Sequence, residues 1–155
     1  LSVLANEIEK FRVYLGDQKQ LSLSDIQQMA QSGAATVFHF SEAMKSRRVK
    51  DCYKIVTHWL DNKEEPVKIL GLIAANLRLY ISLLSLLEQK LPVAKIAQKT
   101  KKNPYFLQKL LPEVKKNHHL PRLLAAHKKL NQLDIQLKSG QIDPKTTPLL
   151  AITVL

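Results

Sequence analysis

The sequence predicts an all-α protein, a helical bundle of eight or nine helices. Only four glycines occur in 155 residues, and runs rich in Val, Ile and Thr between turn residues, which are typical of strands, are missing. Apolar residues instead recur at three- and four-residue steps along most of the chain, which is the period of an amphipathic helix. Apolar residues make up 45% of the composition, which indicates a globular domain rather than a disordered tail.

Two short helices are predicted before residue 36. The first carries a single apolar stripe, formed by Val3, Leu4, Ile8, Phe11 and Leu15. The second is expected to start at Ser22, because Asp25 follows at the spacing of a capping box. Residues 31–36 are small and polar, so we expect a linker there.

Three helices are predicted between residues 37 and 89. A short one ends near Ser46, and the next ends at Asp61 with one apolar face, formed by Cys52, Ile55, Val56, Trp59 and Leu60. The longest runs from Pro66 to Gln89 and is apolar on most sides, as expected of a helix surrounded by others. It is long enough to cross a bilayer, but Arg78 falls at its centre, where a membrane position costs about 2.5–3.5 kcal/mol. We therefore expect a buried central helix and no membrane.

Four further helices complete the prediction. One runs from about Pro92 to Lys99, and another has Asn103 as its N-cap. A long helix from Leu120 to Lys138 is expected to point Leu123, Leu124, His127, Leu130, Leu133 and Leu137 inward, with Gly140 beyond its end. The last starts near Asp143-Pro144, with Pro148 delaying its start by about a turn.

No catalytic, cofactor-binding or metal site is predicted. The glycines stand alone, so no phosphate-binding loop and no ATP site are expected. Adjacent His118 and His119 would diverge by about 100° on a helix and could not hold one ion between them. His127 and Cys52 follow the apolar period, which favours the core or its rim. Glu64 and Glu65 precede a helix, where carboxylates act as caps. A lone cysteine excludes a disulfide within the chain and agrees with a reducing compartment such as the cytoplasm.

The formal charge of +11 is concentrated in the second part of the chain. Residues 95–155 hold 12 Lys and Arg against 3 Asp and Glu, whereas residues 1–94 hold 12 against 10. Such a basic segment indicates an anionic partner, either DNA or an acidic protein face, unless it is simply a solvated surface. The candidate contact residues are Lys101, Lys102, Lys109, Lys115, Lys116, Arg122, Lys128 and Lys129.

A helix-turn-helix layout supports the DNA alternative. The helix carrying Ile96-Ala97 is followed by a short turn and a second helix that could present Lys102, Tyr105, Gln108 and Lys109. Pairs of short helices are common in any bundle, however, and the second helix has no clear set of base-reading side chains. A basic DNA-binding domain is therefore the alternative rather than the first interpretation.

The ordered set of segments resembles one family, the delta subunit of bacterial DNA polymerase III, along essentially the whole chain. The resemblance begins with Asn6-Glu-Ile-Glu-Lys10 and a turn at residues 21–25. It continues through Trp59-Leu60, then Glu64-Glu-Pro-Val-Lys-Ile-Leu70 and Leu77-Arg-Leu-Tyr80. It ends with Pro104-Tyr-Phe106 and with residues 134–144, which read D-I-Q-L-K-S-G-Q-I-D-P. Pro148 departs from the pattern, as does the heavy lysine content after residue 95.

The resemblance implies a non-catalytic piece of a clamp loader. Residues 1–35 would be the last helices of an AAA+-like lid domain, and residues 36–155 a helical collar domain for oligomerisation. Collars of five subunits would pack into a ring that supports sliding-clamp loading during DNA replication in the cytoplasm. The expected partners are the other clamp-loader subunits of a hetero-pentamer. The polymerase holoenzyme as a whole is a nucleotidyltransferase, but this segment would contribute no catalysis, no cofactor and no clamp-opening element.

Overall fold

The computed structural model describes residues 33–155, with side chains from residue 36 onward. Within these residues lie seven helices and no strand. The helices are α1 (Gly33–Lys45), α2 (Val49–Asp61), α3 (Pro66–Glu88), α4 (Val93–Thr100), α5 (Pro104–Asn117), α6 (Leu120–Lys138) and α7 (Thr146–Thr153). The all-α prediction is confirmed. The two helices predicted before residue 31 lie outside the described residues, as do residues 1–32 of the predicted lid domain.

Residues 40–155 form one compact unit built around α3. This helix packs against α4, α5, α6 and α7, while α2 packs on α7 and α4 on α5. Its buried residues are Ile69, Leu70, Ile73, Asn76, Leu77, Tyr80, Leu83 and Leu84. Among the described helices, α3 alone has the length and apolar content of a membrane span. Its neighbours on several sides identify it as the central helix of the bundle, as its sequence predicts.

The core extends from α3 to both ends of the unit of residues 40–155. Phe40 of α1 stacks on Trp59 of α2 with ring centroids 5.1 Å apart. The Tyr80 hydroxyl, within α3, donates to the carbonyl oxygen of Ser41 at 3.3 Å. Ala151 and Ile152 of α7 are fully buried. Contacts of this kind join residues that are far apart in the sequence. Tertiary packing between helices, and not only the short loops that connect them, therefore holds the bundle together.

The helix caps of α5 and α6 occur at the residues that the sequence predicts. The Asn103 side chain accepts a hydrogen bond from the Tyr105 backbone N–H at 2.8 Å, which caps α5. At the end of α6, Gly140 has a φ of +70°. The Gly140 N–H donates to the Leu137 carbonyl and the Gln141 N–H to the Gln136 carbonyl, which is a Schellman motif.

The start of α7 confirms the expected delay. The Asp143 carboxylate accepts hydrogen bonds from the backbone N–H and the hydroxyl of Thr146, at 2.7 Å and 2.6 Å. These bonds hold the pKa of Asp143 below its usual range. The regular helix therefore begins at Thr146, and Pro148 lies in its first turn, where a missing N–H removes no helical hydrogen bond.

Three details differ from the sequence-based predictions. Residues 33–36, expected in a linker, are the first turn of α1, and Ala34 and Ala35 are strong helix formers that explain it. Leu124 is half exposed, so it does not point inward, and Ala126 is buried instead. The Glu65 side chain makes no cap hydrogen bond at the start of α3 and lies 3.7 Å from the Lys68 ammonium.

Candidate interaction surfaces

No catalytic constellation is apparent in the part of the chain that the structure describes. Residues 33–155 contain no cluster of three or more His, Cys, Asp or Glu side chains that could hold a metal ion. Cys52 is buried, as its helical period predicts, and burial raises the pKa of its thiol to about 11. The thiol is consequently protonated at neutral pH and is not a nucleophile.

His118 has a structural position that sequence reasoning missed. Its ring is buried and lies against the Tyr80 ring, with centroids 5.1 Å apart. Its Nε2 lies 3.0 Å from the Met44 carbonyl oxygen and 3.1 Å from that of Lys45. Both acceptors are carbonyls, so Nε2 carries the hydrogen and the side chain caps the last turn of α1. Burial lowers the pKa of His118.

The α4–α5 hairpin presents a basic face with exposed aromatic rings. Residues 89–112 contain six lysines and no carboxylate. Tyr105 is 64% exposed, Phe106 is also exposed, and the Lys109 ammonium lies 4.5 Å from the Tyr105 ring centroid in a cation–π contact. Lys101 ends α4 with a left-handed φ of 53°, which turns the chain sharply between the two helices. A surface of this composition suits an anionic partner that also has flat apolar groups.

The eight candidate cations are all exposed and lie on three segments of the chain. Lys101, Lys102 and Lys109 lie on the α4–α5 hairpin, and Lys115 and Lys116 lie in the last turn of α5. The other three, Arg122, Lys128 and Lys129, lie along α6. Consecutive residues of a helix point about 100° apart, so Lys128 and Lys129 face different directions. Within the described residues, none of the eight forms an ion pair with a carboxylate.

A second surface, formed by α3 and α6, was not predicted from the sequence. On α6, Leu124 is 50% exposed and Ile135 is 58% exposed. They are eleven residues apart, which places them on one line along the helix. Beside them a groove of about 240 Å³ separates α6 from α3, with Val67, Gly71 and Arg78 on the α3 side. We call the set Val67, Gly71, Ala75, Leu124, Asn131 and Ile135 the α3–α6 surface; all six residues are exposed.

These features define a class of protein, an all-helical domain whose described part has exposed apolar and basic surfaces. The model of the family described as "DNA polymerase III delta subunit, C-terminal domain" matches residues 34–154. That match covers more than three-quarters of the chain, so the chain belongs to this family. The resemblance noted in the sequence is confirmed.

Two relatives agree with the family assignment. The chain is 27% identical, over 92% of its length, to DNA polymerase III subunit delta of Bacillus subtilis (strain 168). Among solved structures it is similar to the Bacillus subtilis DNA clamp loader delta protein, with a TM-score of 0.77, 23% identity and 99% of the chain covered. The chain spans 41% of the first relative and 45% of the second. The structural similarity shows a shared fold.

Proposed function

We propose that this chain is a non-catalytic assembly domain of a clamp-loader delta subunit, working in DNA replication in the cytoplasm. Family membership supports a clamp-loader role and favours it over the DNA-binding alternative. In this proposal residues 36–155 are a collar domain and residues 1–35 belong to a lid domain. The collar packs with those of four other subunits into a hetero-pentameric ring, and sliding-clamp loading depends on that ring.

The α3–α6 surface is the observation that carries this proposal. Leu124 and Ile135 expose half or more of their side chains to water, although both sit on a helix whose opposite side is packed in the core. Covering such side chains gains on the order of 1 kcal/mol each, since burial of a whole Leu or Ile gains about 1.5–3 kcal/mol. On α3, Gly71 has no Cβ and Ala75 has only a methyl group, which lets the backbone of a neighbouring helix approach closely.

The partner that fits this surface is a helix of a neighbouring clamp-loader subunit. Its outer face mixes apolar groups with the neutral amide of Asn131 and the exposed ammonium of Lys128. The only ion pair along the described α6 is Lys138 with Asp134 at 2.6 Å. A helix with an apolar stripe would bury Leu124 and Ile135 together, since they lie on one line. Interfaces of this kind derive their affinity from a few central apolar anchors.

Charge substitutions on α6 test this assignment. Leu124→Asp and Ile135→Asp should each leave the circular dichroism spectrum unchanged, because both positions are exposed, and should weaken association with the other clamp-loader subunits about tenfold or more. Lys54→Asp on the exposed side of α2 is the matched control and should associate normally. Normal association of both α6 variants would place the interface elsewhere and contradict the role given to this surface.

A second candidate function, DNA contact, rests on the α4–α5 hairpin. Stacking of bases on exposed aromatic rings is worth about 1–3 kcal/mol per base, and neighbouring lysines attract the phosphates. Tyr105 with Lys109 provides both elements at one place. In an assembled loader this face would contact single-stranded DNA while the α3–α6 surface contacts a subunit, so the two roles are compatible.

A further inference from the structure

We propose that the groove between the end of α3 and the α5–α6 junction binds a short acidic peptide segment that carries an apolar anchor. The groove has a volume of about 420 Å³, within the range of roughly 300–1,000 Å³ typical of ligand sites. It is lined by Leu84, Leu87, Glu88, Lys115, His118, His119, Leu120 and Pro121. This proposal is independent of the assembly role, because it concerns different residues and a different partner.

The apolar part of the lining can hold one or two side chains. Leu84 is nearly buried at the base of the groove, while Leu87 and Leu120 are half-buried against the core and Pro121 is exposed. The groove is held in shape from below, because His118 is fastened to the Met44 and Lys45 carbonyls and stacks on Tyr80. A rigid apolar recess of this kind suits a Leu or Phe anchor, since little conformational entropy is lost on binding.

The charges around the recess select the sign of the partner. Lys115 and His119 line it and are exposed, and Glu88 is the one carboxylate among its lining residues. The Arg47 and Arg122 guanidinium groups are close enough to disfavour a positive charge on His118. Lys116 follows Lys115 in the same helical turn. The surroundings are therefore net positive, and carboxylates beside the anchor would find several cations.

Two other grooves among the described residues differ from it in size and in lining. The groove between α3 and α6 carries cations and Asp134 together and is smaller, at about 240 Å³. A third groove, of about 580 Å³, has Asp61 and Glu64 opposite Lys63 and Lys145, so its charges cancel. All three linings hold charges of both signs, and the groove at the α5–α6 junction is distinguished by the further cations near it, Lys116, Arg47 and Arg122, which favour an acidic segment.

Fluorescence anisotropy with the chain itself tests this inference. The probe is a short labelled peptide in which adjacent Leu and Phe are flanked by Asp and Glu; two matched peptides replace the apolar pair by Gly-Ser or the acids by Lys. The first peptide should bind, and both matched peptides should bind about tenfold more weakly or not at all. The double variant Lys115→Glu/His119→Glu should weaken binding about tenfold, because one favourable charge interaction is lost and two repulsive ones are added.

Lys54→Glu, on the exposed side of α2, is the control for a general loss of positive charge and should bind the peptide normally. Leu87→Asn removes apolar surface from the recess without adding a charge and should also abolish binding, which separates the apolar contribution from the electrostatic one. The proposal is overturned if the peptide lacking Leu and Phe binds equally well, or if Lys54→Glu weakens binding as much as the double variant. If all three peptides bind and a single-stranded oligonucleotide displaces each of them equally well, the groove is a general anion-binding surface. That result would likewise overturn the proposal.

Discussion

The Nε2–H of His118 donates to the carbonyl oxygen of Met44 across 3.0 Å, although 74 residues separate the two in the sequence. The same N–H is shared with the Lys45 carbonyl, so a side chain at the end of α5 satisfies the last turn of α1. Asn117 adds a second, longer contact of 3.4 Å to the Lys45 carbonyl. This contact fixes where the first described helix ends relative to the rest of the unit of residues 40–155.

Stability should therefore fall on acidification through His118. Burial lowers its pKa in the folded chain below the ordinary value of 6.5, so the unfolded chain takes up the proton first as the pH decreases. The stabilisation is fully present above pH 6.5 and is lost as the pH falls below it, by at most about 1.4 kcal/mol per pH unit. Urea unfolding of His118→Gln at several pH values should show a weaker dependence than the unsubstituted chain.

His119→Gln is the matched control, because the neighbouring ring is exposed and makes no comparable contact with α1. It should keep the pH dependence of the unsubstituted chain between pH 8 and pH 5 (roughly one to two units either side of an ordinary histidine pKa). An identical dependence in His118→Gln and in the unsubstituted chain would show that His118 does not couple protonation to folding.

Two adjacent leucines on α6 should respond very differently to truncation. Leu123 is 3% exposed and part of the core, whereas Leu124 is 50% exposed. Leu123→Ala should lower the free energy of unfolding by about 2–5 kcal/mol, because it removes buried surface and leaves a cavity. Leu124→Ala should change it by about 0.5 kcal/mol or less. Chemical denaturation monitored by circular dichroism measures both, and equal losses would contradict the orientation of α6.

Two glycines should respond with opposite sign to the same substitution. Gly140 has a left-handed φ of +70°, so Gly140→Ala should destabilise the chain by about 1 kcal/mol even though a Cβ would meet nothing within 4 Å. Gly71 lies within α3 with open space around a Cβ, so Gly71→Ala should stabilise the chain by about 0.5–1 kcal/mol through helix propensity. Thermal unfolding distinguishes the two, and a stabilising Gly140→Ala would be inconsistent with the Schellman end of α6.

Single-stranded DNA binding should depend on the α4–α5 hairpin if that face has the second proposed role. Tyr105→Ala should weaken oligonucleotide binding about fivefold or more through lost stacking, and Lys101→Glu/Lys102→Glu should reduce both the affinity and its salt dependence. Lys54→Glu serves again as the control. Anisotropy with a labelled oligonucleotide at low and moderate salt measures these effects, and failure to bind at low salt would refute the role.

Features set by neighbouring residues were predictable from the sequence. The inward face of α2, with Cys52 and Trp59, follows from periodicity, and the Asn103 cap follows from side-chain chemistry beside Pro104. Leu124 was misplaced because the helical period admits either of two adjacent leucines, and only the position of α3 and α7 decides between them. The linker at residues 33–36 was misassigned because small residues favour both turns and helices.

Features set by distant residues were not predictable. The His118 contact needs Met44, and the α3–α6 surface needs the mutual placement of two helices whose relevant residues are more than fifty positions apart, such as Val67 and Asn131. All eight candidate cations are exposed, and their contact with an anionic partner stays a prediction. The positions of these cations relative to one another in space depend on how α4, α5 and α6 pack. That packing cannot be inferred from the number of charges in the sequence.

The most direct test of the assembly role is size-exclusion chromatography of this chain mixed with the other clamp-loader subunits of the same organism, with light scattering to give the mass of each peak. We expect the chain to elute with those subunits in a complex that contains one copy of it. Elution of the chain by itself, with the other subunits assembling without it, would contradict the account.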